Sequence, residues 1–128
     1  MKRKHTSFED RLPQLMASLS DDPSTLIILY DSYRAIEAAL NGIYNQPRIG
    51  EDAHTALDRE IERATDLCCA VAEKLRLVCS IPENLRGQYV ETIVSHALFV
   101  GDHHRPENIL AAISAAYAVP SIREKLAA

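Results

Sequence analysis

The stretch "EDAHTALDREIERATDLCCAVAEKLRLVC", residues 51–79, decides the fold. Its apolar residues recur at alternating steps of four and three, at Leu57, Ile61, Ala64, Cys68, Val71, Leu75 and Val78. This spacing puts them on one side of an α-helix and predicts a seam of the kind found in helical bundles. A helix over these residues would be roughly 43 Å long. The apolar stripe widens after Leu67, so we expect the second half of this helix to be more deeply buried.

A second helix is predicted upstream of this segment. Asp22 is a good N-cap residue, and Pro23 suits the first helical position. One predicted face carries Leu26, Leu29, Tyr33, Ile36, Leu40 and Ile43. The pair Asn41-Gly42 predicts the end of this helix, which leaves residues 41–50 as a loop against the bundle.

Two further helices are predicted downstream. Ser80 and Glu83 have capping-box spacing at the start of a helix that ends at Gly101. The next helix is predicted from Pro106 to about Ala118, where Pro120 stops it. Another capping-box pair, Ser121 and Glu124, precedes a short terminal helical segment.

The first helix has two candidate starts. A cap at Thr6 or Ser7 would place Pro13 inside the helix, where proline removes a hydrogen bond. A start at Asp10 puts Pro13 in the first turn, where its missing N–H costs nothing, and we predict that start.

These elements predict an all-α fold, an antiparallel helical bundle of four main helices plus short terminal helical segments. The short connections between helices favour antiparallel neighbours. We expect residues 10–128 to form one domain, and residues 1–9 to form a basic, flexible N-terminal tail. Alternating strand patterns bounded by turn residues are nearly absent.

Composition and net charge exclude some classes of function. The chain has 128 residues, a net charge of −4 and 47% apolar residues, as in a soluble globular protein. We therefore expect no binding to membranes and no general affinity for nucleic acid. No apolar signal region follows the basic start, and three cysteines make an odd count, so we expect reduced thiols in the cytoplasm.

The stretch "VGDHHRPE", residues 100–107, is the main candidate for chemistry. A fold-back of this segment could bring Asp102, His103 and His104 together with His96. Three imidazoles and a carboxylate suit zinc or iron. The alternative function is therefore a metal-binding helical enzyme or sensor at this corner.

A simpler interpretation treats the same segment as a connection between helices. Gly101 ends one helix and Pro106 begins the next, so Asp102–Arg105 form an exposed turn that requires no ligand. We expect the segment to be such a turn and to bind no cofactor. A di-iron bundle needs two Glu-x-x-His pairs, and the sequence offers one, at Glu51 and His54.

No catalytic motif stands out, so we assign no catalytic residue and expect a small non-catalytic interaction or regulatory protein. It would act through a helical surface on a protein partner that the sequence does not identify. The first half of the long helix has little neighbouring sequence to cover it. We therefore predict a homodimer interface at Leu57, Ile61 and Ala64.

Overall fold

The computed structural model describes residues 7–47, 49–100 and 106–127. Its helices are α1 (Phe8–Ala17), α2 (Pro23–Tyr44), α3 (Glu51–Arg76), α4 (Arg86–Val100), α5 (Pro106–Ala118) and α6 (Ile122–Ala127), with a 3₁₀ turn at Glu83–Leu85 before α4. The predicted all-α fold, with four main helices and short terminal segments, is confirmed. Of the described helices, none is both long and apolar enough to cross a membrane.

The core surrounds the second half of α3. Cys68, Val71, Ala72 and Leu75 are fully buried, and they pack with residues of α2, α4 and α5. The greater burial predicted for this half of the helix is therefore confirmed. Every helix that packs against it contributes apolar area removed from water, which is the main favourable term in folding.

Helices α2 and α3 form an antiparallel pair. At one end, the Tyr44 ring that closes α2 stacks on His54 of α3 at 3.8 Å between centroids. At the other end, Nζ of Lys74 lies 3.1 Å from the carboxylate of Asp21, just before α2 begins. The two longest described helices thus run antiparallel, in line with the predicted bundle.

The start of α1 differs from the prediction. The helix begins at Phe8 rather than Asp10, because Ser7 is the N-cap and its Oγ accepts a hydrogen bond from the Asp10 amide at 3.3 Å. Pro13 consequently lies inside the helix. The carbonyl of Glu9 loses its intrahelical donor, but Glu9 is exposed, so water can take the place of that donor.

Two long-range contacts hold α1 on α3. Nη2 of Arg11 donates to the carboxylate of Asp66 at 2.9 Å. Nζ of Lys74 donates to the carbonyls of Met16 and Leu19, at 2.8 and 2.6 Å. The lysine thus adds hydrogen bonds to two carbonyls at the end of α1, where a positive charge is also favoured by the helix dipole.

Helix α2 continues past the predicted end at Asn41-Gly42, to Tyr44. Asn41 does not stop the helix, because its side chain bonds back to Glu37 one turn earlier. His54 donates from Nε2 to the carbonyl of Tyr44 at 2.9 Å, which satisfies an acceptor in the added turn. The extra turn therefore depends on a contact between α2 and α3.

The predicted capping box at Ser80 and Glu83 is not formed. Instead, Ile81 is buried and pairs with the segment after α5: its amide donates to the Pro120 carbonyl at 3.1 Å, and its carbonyl accepts from the Ile122 amide at 2.9 Å. This extended pairing takes the chain out of helical geometry until the 3₁₀ turn, so the regular part of α4 begins only at Arg86.

The predictions for α5 and α6 are confirmed. Helix α5 spans Pro106–Ala118 as predicted. The amide of Glu124 donates to Oγ of Ser121 at 3.1 Å, and the Ser121 amide donates to Oε2 of Glu124 at 3.2 Å. This reciprocal pair is the capping box expected from the sequence.

Asp22 provides a direct test of helix capping. Its carboxylate accepts from the Thr25 amide at 3.0 Å and from the Thr25 hydroxyl at 2.8 Å. We expect Asp22→Ala to lower the free energy of unfolding by about 1 kcal/mol, measured by urea denaturation. Asp21→Ala is the matched control, since that carboxylate is exposed and surface ion pairs contribute little. Equal effects of the two substitutions would contradict the assignment of the cap.

Candidate functional site

The outward face of α2 carries no charge along its second half. Between Ser32 and Ile43 the exposed residues are Ser32, Ala35, Ile36, Ala38, Ala39, Gly42 and Ile43. The two charged residues in this stretch, Arg34 and Glu37, are half-buried instead. The exposed side of this stretch therefore lacks the charged residues that a surface helix usually presents to water.

This finding corrects the face predicted for α2. Leu26 is buried as expected, but Ile36 and Ile43 are 48% and 45% exposed. The buried face is rotated toward Ile27 and Tyr30, because α4 packs beside α2 and places His96 against Tyr30. Part of the predicted core stripe thus becomes surface.

The exposed face of α2 also has a regular spacing. Its central residues, which we call the α2 seam, are Ile28, Ser32, Ala35, Ala39 and Gly42. They follow steps of four, three, four and three, the spacing of a helix-packing stripe. Ile36 and Ile43 flank the seam, and Ile28 at its start is 63% exposed. The face therefore has the pattern of a helix contact without a helix on it among the described residues.

The α2–α3 hairpin from residue 35 to residue 63, which we call the distal hairpin, has no core of its own. None of its described residues is buried. Contacts with the other helices lie near its base, where Arg34 meets Phe99 of α4 and Asp66 meets Arg11 of α1. A helical hairpin without buried side chains gains little from packing.

Two of the predicted interface residues, Leu57 and Ile61, lie in this hairpin, and Ala64 directly follows it. Leu57 and Ile61 are half-buried, so each retains part of its apolar surface. Ala64 is 4% exposed and is covered within the single chain. The role of these three residues in a dimer stays a prediction.

A buried polar pair fixes α2 against α4. The Tyr30 hydroxyl and Nδ1 of His96 are hydrogen-bonded at 3.1 Å, with the two rings edge to face. One turn further along, the guanidinium of Arg34 lies 3.6 Å from the centroid of the Phe99 ring. A satisfied polar pair of this kind specifies one packing of two helices, since sliding them would leave both groups unpaired.

Burial keeps His96 neutral. The side chain is 3% exposed, and burial, with smaller effects of Arg76 and Arg34, lowers its pKa from 6.5 to about 4. Burial likewise raises the pKa of the Tyr30 hydroxyl. A neutral imidazole bonded to a protonated phenol is a structural pair at neutral pH.

The proposed metal corner is only partly described. His96 has its Nδ1 engaged by Tyr30, while Asp102, His103 and His104 lie outside the described residues. Among the residues that the structure does describe, no three histidines, cysteines or carboxylates are grouped to hold a metal ion. Metal binding at residues 96–104 therefore stays a prediction.

The three cysteines are free thiols. Burial raises the pKa of Cys68 to about 11, and burial with the nearby carboxylates of Asp66 and Glu73 raises the pKa of Cys69. Since the thiolate is the nucleophile, neither residue is activated for chemistry. This agrees with the interpretation of Cys68 as a small core residue on the α3 seam.

Two of the clefts formed by described residues adjoin these features. The larger, about 530 Å³, lies between α1 and the end of α3, where Lys74 already donates to α1 carbonyls. The smaller, about 290 Å³, lies between α2 and α4 and is lined partly by Asp31 and Glu91, both exposed. Neither cleft brings together a set of polar side chains with a recognisable reaction.

Sequence reasoning missed the α2 seam and the Tyr30–His96 pair. The seam had a signal, the steps of four and three through small residues, but the overlapping stripe of larger residues obscured it. The pair had no such signal, since it joins residues far apart in the chain.

Comparison with known proteins gives no assignment. No protein-family model, no characterised protein and no solved structure matches the chain.

The burial of His96 predicts a pH dependence of stability. Between pH 6.5 and about 4 the unfolded chain takes up a proton on His96 that the folded chain does not, so stability is full above pH 6.5 and falls below it. We expect an acid-induced loss on the order of 2 kcal/mol that is absent in His96→Gln. Urea denaturation of both proteins at pH 7 and pH 5 measures the difference, and parallel losses would contradict a neutral buried imidazole.

Proposed function

We propose that the protein is a small non-catalytic helical interaction protein that binds a protein partner through the distal hairpin and the outward face of α2. The observation that carries the proposal is the exposure of Ile36 and Ile43 on a face without an exposed charged residue from Ser32 to Ile43, with the exposed Ile28 one turn before it. Contiguous uncharged apolar surface of this kind marks interaction sites in soluble proteins.

The contrast with α3 supports this choice of surface. Between Glu51 and Arg63 most exposed residues of α3 are charged, as on an ordinary solvated helix. The two helices of the hairpin therefore differ in their exposed residues, which are mostly charged on α3 and uncharged on the second half of α2.

The lack of a core in the distal hairpin is the second support. A partner that covers α2 would remove isoleucine side chains from water, at roughly 25 cal/mol per Å² of apolar area. A partner would thus bury apolar side chains of the hairpin that the single chain leaves exposed. Binding and ordering of the hairpin would then be coupled.

The polar groups of the bundle support a structural assignment over a catalytic one. His96 is neutral and bonded, Cys68 is held as a thiol, and Lys74 is bonded to the end of α1. A cytoplasmic location, where free thiols persist, fits the three unpaired cysteines.

Site-specific photo-crosslinking in cells tests the proposed surface. A photoreactive phenylalanine derivative at Ile36 would lie within the proposed contact, and the same residue at Glu62, exposed on α3, is the matched control. We expect discrete covalent protein adducts from the Ile36 position and only background from the Glu62 position. The proposal fails if both positions give background, or if Glu62 gives the same adducts.

A further inference from the structure

We propose that the occupant of the α2 face is a second copy of this chain, with the two α2 helices packed antiparallel through the α2 seam about a two-fold axis. This inference rests on the proposed function, since it names the partner of the same surface. The proposed dimer interface therefore lies mainly on α2, rather than at Leu57, Ile61 and Ala64 of α3.

The composition of the seam favours self-association. Ser32, Ala35, Ala39 and Gly42 are small, so two helix backbones can approach closely along this line. A two-fold interface presents the same patch from both copies, so it must not bring like charges together. Asp31 is the exposed charged residue of α2 nearest the seam, and an antiparallel pairing places it opposite the uncharged stretch near Ala39.

The order of large and small residues sets the register. With Ala35 at the two-fold axis, Ile28 of one copy lies opposite Gly42 of the other, and Ser32 lies at the level of Ala38, next to Ala39. A Cβ built at Gly42 meets no atom within 4 Å, so the space above this glycine is open to receive a large side chain. The antiparallel pairing thus puts the largest seam residue over the smallest at both ends.

The available area is sufficient for a specific dimer. From Ile28 to Ile43 the face extends about 24 Å along α2. The three isoleucines and the small residues between them offer roughly 500 Å² per copy, or about 1,000 Å² for the pair, which is the lower limit for a specific interface. An interface of this size fits a reversible dimer.

Sedimentation velocity over a range of concentrations tests the dimer. We expect the full chain to be dimeric, and Ala39→Glu to raise the dimer dissociation constant by about 100-fold, because each interface would hold two unpaired carboxylates. Ala56→Glu, the same change at an exposed position of α3, is the matched control and should leave the constant unchanged. Ala39→Lys, which this register places near Asp31 of the second copy, should weaken the dimer less than Ala39→Glu does, and circular dichroism checks that each variant keeps its helices.

Cysteine cross-linking tests the register in a Cys69→Ser, Cys79→Ser background. Ala35→Cys should form a disulfide-linked dimer with itself. Ile28→Cys should cross-link with Gly42→Cys in a mixture, but not with itself. Self-linking of Ile28→Cys would overturn the antiparallel arrangement.

The outcomes separate the dimer from the proposed function. A chain that is monomeric at all concentrations, or a dimer unaffected by Ala39→Glu, overturns the proposed dimer. If Ile36 adducts then contain a different protein, the proposed interaction surface stands and its occupant is heterologous. If Ile36 gives no adduct and the chain is monomeric, both the dimer and the proposed function are wrong.

Discussion

Burial of the second half of α3 is the interaction on which the other helices depend. At 26 residues α3 is about 39 Å long, longer than any helix available to cover it. Helices α1, α2 and α4 meet on its final turns, where Cys68, Val71 and Leu75 are fully buried. Along the first turns of α3, the contacts identified among the described residues are with α2, as where His54 stacks on Tyr44. The chain thus forms a core at one end of α3, and at the other end α2 and α3 form a hairpin without a core.

Polar contacts at the core end of the molecule also determine how α2 is oriented. The Tyr30–His96 pair and the stacking of Arg34 on Phe99 fix the rotation of α2 about its own axis. That rotation turns Arg34 inward and the α2 seam outward. Packing at the base of the hairpin therefore determines which face is offered beyond it, and the surface that we propose for binding follows from the same contacts that stabilise the bundle.

Patterns local in the sequence predicted most of the fold. The α3 seam, the Asp22 cap and the Ser121–Glu124 capping box each involve residues within a few turns of one another, and the structure contains all three. The start of α1 was a local error, set by the cap at Ser7, whereas the error at Ile81 before α4 lies where distant segments meet. On α2 the sequence holds two overlapping apolar stripes, and only the position of α4 decides which one is covered. The sequence alone therefore did not indicate which face of α2 is exposed.

Native-state hydrogen exchange, measured by NMR at several protein concentrations, tests most directly whether the distal hairpin lacks a core of its own. Amides of residues 64–75 should exchange only through global unfolding. Amides of residues 35–44 and 51–63 should exchange through smaller openings in dilute protein and become more protected as the concentration rises. Uniform protection of both regions, independent of concentration, would contradict the account, because the single chain would then stabilise its whole length without a partner.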